Sequence, residues 1–350
     1  MLTDSDIESL SLDAAMFCYQ CEQASKSKGC SYERGVCSKP ADLSALFDLL
    51  IAGAFSLAVA ARPIVEADGR IPDTWTKVLS QGCFLTLTNV NFDLARVKPF
   101  IDQIKAARDE ARQCLTERNL TPLSIDNEFG IDGLIQFVNW EPAATVEEQV
   151  KQGREFGIIK RLKANKATVT GLQEMLVYAI KGMSAYSTHI AMLKGSIEAD
   201  GVAIVKTLSD IIVGERDLLE LALEFGKANL DTMSRLDEAN TSNFGVPNFS
   251  KVSFGVKKGH CILMSGHDLH DLHSLLEATK DIPDLYIYTH GEMLAANAYP
   301  EFQKYAHFAG NFGSAWQLQR KEFPNFLELL LSIPTVSCPL MTVTRIECLL

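Results

Sequence analysis

The stretch CILMSGHDLHDLHSLLEATKDIPDLYIYTHGE, residues 261–292, holds two short apolar runs, CILMSG and LYIYTHG, on either side of the helix-patterned DLHDLHSLLEATK. Strand, helix, strand in that order is the pattern of a parallel α/β sheet. Ligands of such sheets bind beyond the carboxyl ends of the strands. GHD (266–268) ends the first run and HGE (290–292) ends the second, so two polar, metal-capable clusters fall where this fold places its chemistry. His267, held at a strand end, is the better ligand candidate. Glu292 is a candidate carboxylate ligand, with His290 as its supporting partner or an acid–base group. The plainer readings are a loop with a helix-capping carboxylate at HGE and solvated surface histidines at His270 and His273.

Working toward the N-terminus, EANTSNFGVPNFSK (238–251) is rich in Asn, Ser, Gly and Pro and reads as a domain boundary. Before it the chain reads as helix upon helix, over 40–62, 74–81, 93–117, 146–162, 168–192 and 200–235. Ile204, Leu208, Ile211 and Ile212 lie on one helical face, and Thr145 with Glu148 forms a capping-box signature. The run LLIAGAFSLAVAA (49–61) is too short to span a bilayer and reads as a buried helix. A length of 350 residues predicts more than one domain. The net charge of −11 argues against nucleic-acid and anionic-membrane partners, because phosphate contacts need a basic surface. Residues 1–15 are acidic, without a signal core, and are expected to be a disordered extension. With no signal, transit or transmembrane segment evident, the expected compartment is the reducing cytoplasm, where clustered cysteines bind metal more often than they form disulfides.

Four of the nine cysteines lie in MFCYQCEQASKSKGCSYERGVCSKP (16–40): Cys18, Cys21, Cys30 and Cys37. Spacing alone leaves three readings open: structural zinc, for which C-x2-C is a usual half-site, an iron–sulfur cluster on four thiolates, or unligated thiols. Cys83, Cys114 and Cys261 stand alone in apolar contexts and read as core.

MFCYQCEQ…GC…GVCSK, LTNVNFD (87–93), LVYAIKGMSAY (176–186), SGHDLHDL (265–272) and YTHGEMLAANAYPEFQKYAHFAGNFGSAWQ (288–317) together resemble the hybrid cluster proteins, also called prismane proteins, the hydroxylamine reductase family. The likeness runs in order from Met16 to about Phe326. It implies N-terminal helical bundles (16–240), followed by a Rossmann-like parallel α/β domain carrying hybrid-cluster ligands, here partial (250–326). It also implies a cubane [4Fe-4S] cluster on Cys18, Cys21, Cys30 and Cys37. A second, hybrid [4Fe-2O-2S] cluster would take one histidine, two glutamates and four cysteines, with His267 as the histidine and Glu292 as the first glutamate. The implied activity is reduction of small nitrogen oxyspecies, hydroxylamine or nitric oxide, with electrons from a separate donor protein relayed by the first cluster.

The sequence departs from the family after Phe326. The family continues with a T-N-C-L-x-P-P stretch, whereas this chain reads LELLLSIPTVSCPLMTVTRIECLL. The codons of Pro334 to Leu349, read from the last base of each, permit Asn-Cys-Leu-Met-Pro-Pro-x-Asp-Ser-Tyr-Lys-Asp-Arg-Met-Phe, which is similar to the family continuation. Residues 327–350 are therefore expected to be an out-of-frame tail, with Cys338 and Cys348 accidental. A sheet edge near LELLLSI would be left unpaired, and the hybrid cluster is not expected to assemble in so truncated a chain. The competing functional reading is a non-catalytic iron–sulfur protein that keeps only the N-terminal cluster, for electron transfer or binding.

Overall fold

The computed structural model describes residues 4–326 and 329–332, apart from 13, 89, 126–134 and 166. The chain forms two compact units: Met1–Leu87, Asn91–Ala191 and Ser196–Ser234 in the first, and Thr88–Val90, Met192–Gly195 and Arg235–Leu350 in the second. The helical-then-α/β class expected from the sequence is what is found.

The first unit is helical. Residues 4–9, expected to be disordered, form α1 (Asp4–Ser9), because Ile7 buries against Ile158 and Leu162. The central helix is α2 (Ala41–Asp68); its middle, from Leu49 to Ala61, carries no charge on any face, as a segment enclosed by other helices must. Leu43, Leu46, Leu50 and Leu57 lose all contact with solvent. It continues past the expected end at 62, through Pro63, because burial of Ile64 and Val65 offsets the backbone hydrogen bond that proline removes. The run read as too short for a bilayer thus lies in a 28-residue helix that is long and apolar enough to cross one, but 89% of its apolar window is buried in the protein.

Around it pack α3 (Asp73–Leu85), α4 (Val97–Arg118) and α6 (Val146–Glu155), with the one-turn α5 (Ile135–Val138) alongside. Thr145 Oγ1 accepts from Glu148 N–H at 3.3 Å to cap α6, as its sequence signature requires. The single helix expected over 146–162 breaks at Phe156–Gly157, where Phe156 turns into the core, and resumes as α7 (Ile158–Ala164). α8 (Ala167–Met192) follows. The helix expected over 200–235 is two, α9 (Glu198–Val213) and α10 (Leu218–Phe244). Gly214, at φ 76°, ends α9, and the Asp217 carboxylate caps α10 by accepting from Leu219 and Glu220 N–H at 2.9 Å.

α10 also overrides the boundary placed at 238–251. It runs seven residues into that stretch because Phe244 is buried against Phe302, and only then does the chain leave the helix, at Gly245 with φ 84°.

The second unit holds a parallel sheet of β1 (His260–Ser265), β2 (Leu285–His290), β3 (Phe308–Phe312) and β4 (Leu329–Ser332), in the order β3-β2-β1-β4. α11 (Leu269–Thr279) crosses from β1 to β2. Alternation along β1 sends Ile262 and Met264 toward Leu272 and Leu276 of α11, and Cys261 and Leu263 toward Tyr288 and Phe326 on the other face. β4, within LELLLSI, is the end strand of this sheet, so the edge expected there lies on β4. Leu329–Ser332 pairs with Ile262–Ser265, because an apolar run beside the exposed ladder of β1 satisfies its backbone groups. The rest of the expected out-of-frame tail, 333–350 with Cys338 and Cys348, lies outside the described residues.

Candidate iron–sulfur and strand-end sites

The four N-terminal cysteines converge. Cys18 and Cys30 face each other across an antiparallel bridge, Cys18 N–H donating to Cys30 C=O at 3.0 Å and Cys30 N–H to Cys18 C=O at 2.8 Å. Cys21 starts a turn closed by Ala24 N–H on its carbonyl, and Cys37 sits in a turn closed by Ser38 N–H on Gly35 C=O. Gly35 leaves open the space between two of the thiols: a Cβ there would stand 3.6 Å from Cys37 Sγ and 3.8 Å from Cys30 Sγ. None of the four is in a disulfide; Cys30 is buried and the others half-buried. Burial pushes the Cys21 and Cys37 thiols up, partly opposed by backbone N–H groups of Gln23 and Lys39. Lys39 is buried, which disfavours its charge, yet the Cys18 and Cys37 thiolates hold its ammonium above the ordinary lysine range.

Behind this segment lies a charged network that the sequence reading missed. Tyr19 O–H donates to Glu174, which also accepts from Arg161. Burial pushes Glu174 up, but Arg161 and Tyr19 outweigh it and hold the carboxyl below its usual range. Asp48 and Lys181 complete the group; burial drives Asp48 up to about 7 and Lys181 down. The sequence signal was Tyr19, Lys39 and Lys181 lying inside the motifs MFCYQCEQ, GVCSK and LVYAIKGMSAY.

In the second unit the parallel register pairs Ser265 with His290, and His267 and Glu292 each stand two residues beyond that pair. Their side chains meet, His267 Nε2 lying 2.6 Å from Glu292 Oε2, and both are accessible. Gly291, at φ 59°, makes the turn between strand and Glu292, and any Cβ there would lie 2.8 Å from Ser314 C=O. His290 does not join this pair. It is buried, with Nδ1 3.3 Å from Ser265 Oγ and Nε2 2.9 Å from Glu322 Oε2. Burial lowers its basicity, against the pull of Glu322, so its supporting role is toward Glu322, a residue sequence reasoning did not single out. Glu322 in turn accepts from Ser314 N–H and Oγ–H, at 3.1 and 2.9 Å.

Asp268, His270 and Asp271 also cluster, but Asp268 serves as the α11 cap, accepting from His270 and Asp271 N–H. His273 packs on Phe244, not in open solvent as a surface histidine would. Cys83 and Cys261 are buried, as expected, while Cys114 is only partly so.

The helical unit thus carries a four-cysteine segment, and the parallel α/β unit that follows it in sequence carries a histidine–carboxylate pair at its strand ends. The chain belongs to the Prismane/CO dehydrogenase family, whose profile matches residues 16–347. That match continues past Phe326, where the likeness was expected to stop. The chain is 39% identical over 317 residues to the hydroxylamine reductase of Zymomonas mobilis, covering 89% of this chain and 55% of that protein. It is 37% identical to that of Clostridium perfringens, over 89% and 55%, and 37% to that of Methanocella arvoryzae, over 89% and 56%. The chain thus spans about half the length of the curated relatives it matches.

Proposed function

We propose that this chain is the N-terminal part of a hydroxylamine reductase-type hybrid cluster protein. Cys18, Cys21, Cys30 and Cys37 would hold an electron-relaying [4Fe-4S] cluster, and His267 and Glu292 would give a nitrogen and an oxygen ligand to the hybrid Fe–S–O centre. The observation that carries the reading is the meeting of His267 Nε2 and Glu292 Oε2 at the ends of adjacent parallel strands. Four cysteines brought together from one short segment supply the four thiolates that an iron–sulfur core needs.

When bound, mixed-ligand iron supplies open coordination sites and electrons for reductive N–O cleavage, which for hydroxylamine takes two electrons and two protons to ammonia and water. Hydroxylamine and nitric oxide are the substrates proposed, and a separate redox protein is the electron donor. The protein's own groups have defined tasks. Gly291 lets the backbone turn so that His267 and Glu292 meet, and the Ser265–His290–Glu322 chain ties together the ends of β1 and β2. Lys39 balances the charge of the Cys18 thiolate.

For this chain alone a second reading has support: an iron–sulfur protein with the first cluster only. Cys261 is the one cysteine among the described residues of the second unit, and it is buried near the opposite end of β1 from His267. Anaerobically purified chain is expected to be brown, with about four irons and four sulfides, to bleach on Cys21→Ser, and to reduce no hydroxylamine. A version extended to the relatives' length is expected to gain iron and turnover and to lose turnover on Glu292→Ala. Stoichiometric zinc in protein from iron-replete cells would overturn the cluster assignment, and turnover by the 350-residue chain would overturn the restriction to one cluster.

A further inference from the structure

Beneath the cysteine segment the first unit encloses a cavity of about 30 Å³, room for one or two ordered waters at roughly 10–15 Å³ each. Its wall includes Cys18, Lys39, Asp48, Arg161 and Lys181. Arg161 is 6% exposed, and its Nε has no protein partner, so an unsatisfied donor in the cavity wall is available to a water. Asp48, together with Phe17 and Ser44, also lines a more open cleft bounded by Met16, Arg154 and Lys160. Asp48 therefore lines both the small cavity and the more open cleft.

The groups facing Asp48 come from each neighbouring element: Tyr19 and Lys39 from the cysteine segment, Arg161 from α7, and Glu174 and Lys181 from α8. Gly157, between α6 and α7, approaches from a further side, where a Cβ would stand 3.7 Å from Asp48 Oδ2. Glu174 is committed to Arg161 and Tyr19, and Lys39 to the Cys18 thiolate. Neither is free to change its protonation cheaply. Burial, opposed by Lys181 and reinforced by Glu174, lifts Asp48 to about 7, a range in which an added negative charge nearby favours protonation.

We propose that Asp48 is the proton acceptor coupled to reduction of the N-terminal cluster, drawing its proton through the cleft at Ser44. The proposal rests on the iron–sulfur reading above. A one-electron donor reduces the cluster, one proton passes from water to an Asp48 carboxylate oxygen, and no bond to the cluster is made or broken. The electron and the proton together leave the net charge of the buried network unchanged.

The test uses the cluster-loaded chain and the EPR signal of its reduced state, titrated with reduced viologen over the neutral-to-alkaline range. The midpoint potential is expected to fall by up to about 59 mV per pH unit, the one-electron equivalent of a tenfold change in proton activity. Asp48→Asn is expected to flatten that slope while keeping the signal. A pH-independent wild type, or an equal slope in the variant, overturns the proposal. Redox-difference infrared spectra of the wild type give a check that needs no variant: a protonated-carboxyl C=O band is expected to appear on reduction, and its absence overturns the assignment. Protein that lacks iron and sulfide would remove the cluster reading and this one together, whereas an intact cluster with no proton coupling removes this one alone.

Discussion

Replacing Arg161 by Met would leave Glu174 buried without its cation, since the two side chains are only 7% and 11% exposed. Removing one partner of a buried ion pair costs about 3–5 kcal/mol, because the remaining charge has lost both water and its counter-ion. The Tyr19 hydroxyl, which also donates to Glu174, cannot supply the missing charge. The double variant Arg161→Met/Glu174→Gln has no stranded charge, and its amide can still accept from Tyr19. It is expected to recover at least about 2 kcal/mol of the single variant's loss. Native-state hydrogen exchange at the slowest amides of α2 and α8, all within the first unit, is the assay. Their opening constants should rise about a hundred- to a few-thousand-fold in Arg161→Met and fall back in the double variant. Equal or greater destabilisation in the double variant would refute the premise that pairing, and not packing, keeps Glu174 charged.

Gly153→Ala is expected to destabilise the first unit by about 1–3 kcal/mol despite alanine's better helix propensity. Its Cβ would lie 2.0 Å from Ala45 C=O, so α6 and α2 would have to separate; urea melts at or above wild-type stability would contradict this. Sequencing the transcript across codons 320–350 is expected to find the frame change inferred from the codons of Pro334 to Leu349. An uninterrupted frame there would refute it and leave the family match to residue 347 as a match of the genuine tail.

What the sequence made legible was local or periodic. CILMSG and LYIYTHG read as strands, and His267 and Glu292 as their end residues, because strand length, apolar content and the intervening helix pattern are all contained in 261–292. The cysteine segment was legible for the same reason. The buried network was not: Tyr19 and Glu174 are 155 residues apart, and nothing in either neighbourhood marks a charged residue as internal. Helix ends failed where tertiary contact overruled composition. Phe244 carried α10 through a stretch whose Asn, Ser and Thr favour loops, while Phe156 broke a helix that its periodicity would have continued. Glu322 was invisible because its role depends on β3 and the following turns bringing it under His290.

The ladder between β1 and β2 also governs how the strand-end pair tolerates change in the gene. His267 and Glu292 are each offset by the same two residues from Ser265 and His290, which the sheet holds side by side. Their separation is therefore indifferent to the length of the segment joining them. An insertion at the 281–284 turn, or an added turn of α11, would be absorbed at the surface. A single-residue slip of β2 would shift Glu292 by roughly 3.3 Å and turn its strand over. Divergence in this part of the molecule should accumulate as length variation in the crossover, with the two strand ends kept in step.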